Sequence, residues 1–106
     1  MGEYQEIHHY NREHTANYNH RVFSFVRWSN IEKLIIVSNF AADEKYAFTL
    51  EIPEDIIHAW EFKDGKYKVS DQLYQKQTKI MEVENGIGRV PIELEPLESY
   101  LFKFIQ

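Results

Sequence analysis

The sequence predicts an all-β protein, a single antiparallel β-sandwich of about eight strands with Greek-key connections, preceded by a short, partly helical lead-in. Short runs of β-branched and aromatic residues recur about every 8–12 residues, and turn residues separate them. After residue 20, no stretch of about ten residues has helical periodicity. Aromatic residues make up 15% of the 106 positions, which also suits a sheet.

The first 20 residues differ from the rest of the chain. They contain four of the five histidines and no alternating run of apolar residues. Tyr4, Ile7 and Tyr10 are three positions apart, a spacing that places them on one side of a short helix. We therefore predict a lead-in over residues 1–20 with at most one helix, followed by the sandwich over residues 21–106.

The first three strands of the sandwich are predicted before residue 53. Val22–Trp28 is rich in valine and aromatic residues, and a Ser-Asn turn follows it. Lys33–Phe40 is an almost continuous apolar run, as expected for a central strand covered on both faces. Tyr46–Ile52 alternates between apolar and polar residues until Pro53, which cannot donate to a sheet.

The middle of the chain predicts a further strand and a tight turn. Ile56–Phe62 contains two isoleucines and two aromatic residues and is predicted as a strand. Asp64-Gly65 follows it and predicts a two-residue hairpin turn before a strand that includes Tyr67 and Val69.

The last third of the sequence predicts a second hairpin and a final strand. Thr78–Val83 and Arg89–Leu94 flank Asn85–Gly88, which opens with the Asn-Gly pair typical of hairpin turns. Aromatic residues occupy alternate positions of the last strand, Tyr100–Phe104.

Composition excludes several classes of function. Twelve basic and 17 acidic residues give a formal charge of −5, which argues against nucleic-acid binding. The chain has no cysteine, so disulfides and thiolate metal sites are excluded. No apolar run is long enough to span a membrane, and the first residues do not form a signal peptide. The compartment stays open, and we expect no cofactor.

No catalytic or metal-binding group is predicted. The acidic residues on the predicted strands alternate with apolar ones, so we expect them to face solvent rather than to form a catalytic pair. His8, His9 and His14 lack the spacing of metal ligands. There is no Gly-x-Ser-x-Gly sequence and no glycine-rich phosphate loop.

Aromatic residues are the remaining candidates for a binding site. Trp28, Trp60, Tyr67 and Tyr74 are candidates for stacking on sugar rings, because an aromatic face offers apolar contact to the C–H face of a pyranose. The alternative is that these rings belong to the core or to a surface that docks on another domain.

Two stretches carry a family resemblance. Val22–Phe40 (VFSFVRWSNIEKLIIVSNF) and Ile92–Phe104 (IELEPLESYLFKF) resemble the opening hairpin and the final strands of the C-terminal β-domain of α-amylase-family glycoside hydrolases, glycoside hydrolase family thirteen. Val69–Tyr74 matches more loosely. The lead-in, with Tyr18-Asn19-His20 before the first strand, is similar to the segment that joins barrel and β-domain in some members.

The resemblance implies a non-catalytic accessory domain that stabilises or caps an absent catalytic barrel. In this family the catalytic carboxylates belong to the barrel, so none is assigned in this chain. The parent enzyme is expected to act on α-glucans or maltooligosaccharides. The residues expected to dock on the barrel are Tyr4, Ile7, Tyr10 and Tyr18. By itself, the chain is expected to fold as a monomer and to release no reducing sugar from starch.

Two alternatives stay open. In the first alternative, the chain is a carbohydrate-binding module that uses exposed aromatic residues, with an α-glucan as its partner. In the second alternative, the chain is a free-standing β-sandwich that binds another protein. No nucleic acid or membrane is expected as a partner.

Overall fold

The computed structural model describes residues 2–73 and 78–104 and confirms the all-β fold. The elements in chain order are β1 (Glu3–Glu6), α1 (His8–His14), β2 (Val22–Trp28), β3 (Lys33–Asn39), β4 (Tyr46–Ile52), α2 (Glu54–Ala59), β5 (Gly65–Asp71), β6 (Thr78–Glu84), β7 (Ile87–Leu94) and β8 (Ser99–Phe104). The predicted strands at 22–28 and 46–52 are reproduced residue for residue. No helix in the described ranges has the length and apolar character needed to cross a bilayer.

The strands form one continuous, curled sheet in the order β1-β2-β3-β8-β5-β6-β7-β4, with antiparallel neighbours throughout. The pairing of β5 with β8 joins two halves, β1-β2-β3-β8 and β5-β6-β7-β4. The two layers expected of a sandwich are therefore halves of one sheet around one core. Strand β4 lies beside β7 at the end of the β5-β6-β7 meander, which is a Greek-key arrangement.

The core is built from the inward positions of alternating strands. Val26, Ile35 and Phe102 have no exposed surface, and Leu50 and Val90 are buried opposite them in the other half. Fully burying one such side chain contributes about 1.5–3 kcal/mol. The alternation that predicted the strands thus also supplies the core.

Helix α1 closes one edge of the sheet through a buried amide. The Asn11 side chain is fully buried; its Nδ2 donates to Glu51 O at 2.9 Å, and its Oδ1 accepts from Glu51 N at 2.8 Å. These are the two hydrogen bonds that a neighbouring strand forms with one residue of β4. Nδ2 also donates to Ile7 O at 2.9 Å. Asn11 therefore satisfies part of the free edge of β4.

The prediction of a strand at residues 56–62 is wrong, because residues 54–59 form helix α2. Pro53 precedes the helix with φ −60°, and the first turn carries two acidic residues, which the helix dipole favours. Ile56, Ile57 and Trp60 are buried, and their spacing places them on one helical face against the sheet. The helix has only six residues, too few to show a period in the sequence.

The two predicted hairpin turns have different outcomes. The second hairpin is confirmed, with a shorter turn than predicted: Ile87 and Gly88 belong to β7, which pairs with β6. The turn residues Asn85 and Gly86 both have positive φ, 54° and 80°, as a type I′ turn requires. The prediction of a hairpin turn at Asp64-Gly65 is wrong. Strand β5 begins at Gly65 and pairs with β6 and β8, not with the segment before Asp64. The Asp64 carboxylate instead accepts from the amides of the other turn, Asn85 N at 3.1 Å and Gly86 N at 3.3 Å.

The first 20 residues are packed on the sheet. The single short helix expected there is α1, whereas strand β1, which pairs with β2, was not predicted. Tyr4 lies in β1 and Tyr10 in α1, so the two do not share a helical face. Residues 3–6 are mostly polar and too few for their alternation to be read as a strand.

Candidate functional site

The outer faces of the two sheet halves differ in chemistry. The half β4-β5-β6-β7 presents mostly charged or polar side chains, at Thr49, Glu51, Lys66, Lys68, Ser70, Thr78, Glu82, Glu84, Arg89 and Glu93, with Ala47, Ile80, Ile87 and Pro91 between them. The half β1-β2-β3-β8 presents an outer apolar face, which we define as Tyr4, Phe23, Phe25, Leu34, Ile36 and Leu101, with Phe40 at its margin.

The outer apolar face is continuous across four strands. Register pairs Phe25 with Ile36 and Ile36 with Leu101, so these three side chains form one row. Tyr4 extends the row, since its ring centroid lies 5.3 Å from that of Phe25. Tyr4 is 63% exposed, while the three side chains of the row are half-buried. The face is therefore both apolar and open to solvent in this chain.

Strand β3 was expected to be covered on both faces, and the structure covers one. Ile35 and Val37 point inward and have no exposed surface. Leu34 and Ile36 point outward and remain half-buried. An apolar central strand with one open face is a feature of a surface that packs on another structure.

The four residues predicted to dock on a barrel are not together. Tyr4 lies on the outer apolar face, but Ile7 is fully buried in the core and Tyr18 is 8% exposed, so neither has surface left for a partner. Burial raises the pKa of Tyr18 to about 12, and its hydroxyl lies 2.7 Å from Ser24 Oγ. These two positions are corrected from docking residues to core residues, because the lead-in folds onto the sheet.

Tyr10, the fourth predicted docking residue, lies in α1 and contacts β4, not the outer apolar face. Its hydroxyl donates to Glu51 Oε1 at 3.2 Å, and its ring stacks on His14 with centroids 4.1 Å apart. Burial, followed by the neighbouring Glu51 carboxylate, raises the Tyr10 pKa. Arg89 Nε lies 3.3 Å from the other oxygen of the same carboxylate. Glu51 is thus held by structural partners.

A second surface, the aromatic groove, lies at one end of the curled sheet. Its volume is about 460 Å³, and it is lined by Ile31, Glu32, Lys33, Phe62, Tyr67, Lys103 and Phe104. The Phe62 and Tyr67 rings are stacked, 4.3 Å apart with an interplanar angle of 14°. Phe104 meets Phe62 edge-on at 5.1 Å.

The end of helix α2 positions Phe62 in the groove. Glu61 adopts a left-handed conformation (φ 59°), and its amide donates to His58 O at 3.0 Å. The Phe62 amide donates to Ile57 O at 3.2 Å, which completes a Schellman motif. The helix end therefore fixes the direction in which the Phe62 ring leaves the helix.

The four predicted sugar-stacking residues have different surroundings. Tyr67 lines the groove and is half-buried. Trp60 is 3% exposed and lies beneath the groove, where it meets Phe104 edge-on at 5.5 Å. Trp28 is half-buried and edge-on to Trp60 at 6.1 Å. Tyr74 lies outside the described residues.

Trp60 is therefore corrected from an exposed stacking residue to a core residue, because it belongs to the buried face of α2. Sequence reasoning missed Phe62 and Phe104 as groove residues. Phe104 is the last of the alternating aromatic residues of β8 and lies at the end of the strand, where it is half-buried. Its position at the strand end could have indicated a groove residue. Phe62 had no such signal, since it lay in a segment interpreted as a strand.

Among residues 2–73 and 78–104, no group of three or more histidine or acidic side chains is placed to hold a metal ion. The strand acids Glu82, Glu84 and Glu93 face solvent, as predicted. His8 and His9 pair with acidic neighbours, Glu6 at 3.5 Å and Glu13 at 3.3 Å.

Comparison with known proteins relates the chain to part of a larger one. No protein-family model matches the chain, and no curated protein matches it. Among solved structures, it is similar to AmyP crystallised with maltose (TM-score 0.53, 22% identity, 96% of this chain covered). It is also similar to a variant of AmyP crystallised with maltotriose (TM-score 0.52, 22% identity, 99% covered). The chain spans 16% of each AmyP chain, so it has the fold of a small part of AmyP.

Proposed function

We propose that this chain is the non-catalytic accessory domain of an α-amylase-type glycoside hydrolase, and that it packs on the catalytic domain through the outer apolar face. The fold supports this proposal, because AmyP is an α-amylase-family enzyme and the chain corresponds to a small part of it. The parent protein is then a glycosidase that acts on α-glucans.

The observation that carries the proposal is the contrast between the two outer faces. A half-buried apolar row of Phe25, Ile36 and Leu101 lies on one half, beside the exposed Tyr4, while the other half is mostly polar. Packing the open row against a second domain removes its apolar surface from water, which stabilises the assembly by about 25 cal/mol for each Å² buried. Interfaces between domains of one chain typically bury about 600–1,500 Å².

The surroundings of the face suit a fixed interface. Arg12 lies 5.1 Å from the Phe23 ring centroid, and Arg27 and Lys103 stand beside the apolar row on the same face. Apolar centres with charged margins are typical of interfaces between folded domains. The domain contributes stability and position to the enzyme, while the reaction takes place in the other domain.

A matched pair of substitutions tests the proposal in the complete polypeptide that contains this domain. Ile36→Asp places a carboxylate on the outer apolar face, and Ile80→Asp places one on the polar outer face, where Ile80 is 40% exposed. In the isolated chain, Ile80→Asp is expected to cost about 1 kcal/mol from lost β-propensity, and Ile36→Asp about 2 kcal/mol, since Ile36 is half-buried. In the complete protein, Ile36→Asp is expected to cost about 3 kcal/mol more, since it buries an unpaired charge.

Calorimetry measures this difference. The complete wild-type protein and its Ile80→Asp variant are expected to unfold in one transition, whereas Ile36→Asp separates the unfolding of the two domains. Equal behaviour of the two variants would contradict docking through this face. A native polypeptide without a glycosidase domain would contradict the proposed function as a whole and would favour the free-standing interaction protein.

A further inference from the structure

The aromatic groove combines an apolar floor with a charged rim. Phe62, Tyr67 and Phe104 form the floor, and all three are half-buried, so ring surface remains open to solvent. Glu32 and Lys103 stand on the rim as a pair, with Lys103 Nζ 3.5 Å from Glu32 Oε2. The volume of about 460 Å³ lies within the range of about 300–1,000 Å³ that is usual for small-molecule sites.

The Tyr67 ring is held in place before any ligand arrives. Its hydroxyl donates to Lys63 O at 2.7 Å, and Phe62 stacks on one of its faces. Lys33 Nζ lies 5.6 Å from the Phe62 centroid and restrains that ring in turn. The part of the Tyr67 ring that is still open to solvent is the surface on which a ligand ring packs, and little side-chain entropy is lost when it does.

Charge and chemistry select the class of ligand. One of the two groove lysines, Lys103, is paired with Glu32, and the chain carries a net charge of −5, so a multiply charged anion is disfavoured here. A wholly apolar segment would bury the Glu32–Lys103 pair without new hydrogen bonds, which is costly. A pyranose offers C–H groups to an aromatic face and hydroxyls that both donate to a carboxylate and accept from ammonium groups.

We propose that the aromatic groove is a surface site for a neutral oligosaccharide, with one pyranose ring stacked on Tyr67 and its hydroxyls bonded to the rim residues Glu32, Lys33 and Lys103. The choice of an α-glucan as the oligosaccharide rests on the proposed function. The aromatic floor of the groove is not part of the outer apolar face, although Lys103 stands at the margin of both surfaces. In this proposal the accessory domain holds a glucan chain beside the enzyme.

Titration of the isotopically labelled 106-residue chain with maltoheptaose, followed by amide NMR, tests the proposal. Wild type is expected to bind in the millimolar range, with shifts confined to residues 31–33, 62–67 and 103–104. Tyr67→Ala is expected to weaken binding about tenfold, through loss of the stacking surface. Tyr67→Phe keeps the ring and is expected to bind within about twofold of wild type.

Two controls make the result specific. Tyr4→Ala removes a tyrosine that is 63% exposed on the outer apolar face and should leave binding unchanged. Cellohexaose carries the same pyranose rings in a β-linkage and should bind at least about tenfold more weakly. Should Tyr67→Ala fail to fold, the map of wild-type shifts carries the test alone.

Two results would overturn the proposal: no shifts with maltoheptaose at saturating concentration, or shifts centred outside the groove. Equal binding of both sugars would overturn the choice of an α-glucan and leave the site itself standing. None of them bears on docking, which the Ile36→Asp and Ile80→Asp pair tests separately. Groove resonances that shift only when the catalytic domain is attached would also overturn it, since a protein segment would then occupy the groove.

Discussion

Asn11→Ala is expected to lower the free energy of unfolding by about 3 kcal/mol, which corresponds to a fall of about 10–20 °C in Tm. The buried Asn11 amide bonds both backbone groups of Glu51 and the carbonyl of Ile7. Alanine cannot replace these bonds, so the N–H and the C=O of Glu51 both lose their partner at the edge of β4, whereas Ile7 O keeps its bond from the residue 11 amide. Each unsatisfied buried group costs about 1–3 kcal/mol.

Urea denaturation followed by tryptophan fluorescence measures this effect. Asn30→Ala is the matched control, because Asn30 is exposed in the turn between β2 and β3, and its loss should cost less than about 0.5 kcal/mol. Similar midpoints for the two variants would mean that α1 does not hold β4, and that the edge is closed in another way.

Phe102→Ala is expected to be the more damaging change, at about 3–5 kcal/mol. Phe102 lies at the centre of β8, between β3 and β5, and register places it beside Ile35 and Asp71. It has no exposed surface, and its ring stacks on Tyr100 with centroids 5.3 Å apart. Truncation leaves a cavity where the two sheet halves join, so both lose packing.

A second phenylalanine provides the comparison for Phe102. Phe40→Ala removes a ring that is 61% exposed at the margin of the outer apolar face, and is expected to cost less than about 1 kcal/mol in the isolated chain. Phe102→Leu should recover more than half of the loss, because it refills most of the volume. Equal costs for the two alanine variants would contradict the placement of β8 at the centre of the sheet.

The strands could be predicted because the side chains that face the core are apolar and most of those that face solvent are polar. Tyr46–Ile52 alternates between buried and solvent-facing positions, and the structure reproduces its bounds. The turn at Asn85-Gly86 could also be predicted from the sequence, since these residue types tolerate the positive φ that a type I′ turn requires. Local chemistry decides both features, so no distant contact was needed to infer them.

Helix α2 could not be predicted, because distant contacts decide it. Its isoleucines and tryptophan favour a strand when considered locally, and six residues show no helical period. What holds the helix is packing against β7, where Gly88 permits close approach: a Cβ there would lie 3.0 Å from Ile57 Cδ1 and 2.9 Å from Met81 Sδ. The fold overrides local propensity at this position.

The outer apolar face was missed for a similar reason. In β2, Val22 and Val26 point inward, and the larger Phe23 and Phe25 point outward, so both sides of the strand are apolar. Alternation alone cannot tell which side belongs to the core. Only the pairing of β2 with β3 and of β3 with β8 shows that the outward side forms a continuous surface.

Thiol labelling, measured on the peptides of this domain, tests the docking claim most directly, because the 106 residues contain no cysteine and an introduced one is the only thiol in those peptides. Ile36→Cys reports on the outer apolar face, and Ile80→Cys on the polar one. In the isolated chain, both should react readily with a maleimide. In the complete polypeptide, Ile36→Cys should react at least about tenfold more slowly, while Ile80→Cys is unchanged. Equal reactivity of Ile36→Cys with and without the rest of the polypeptide would contradict the account.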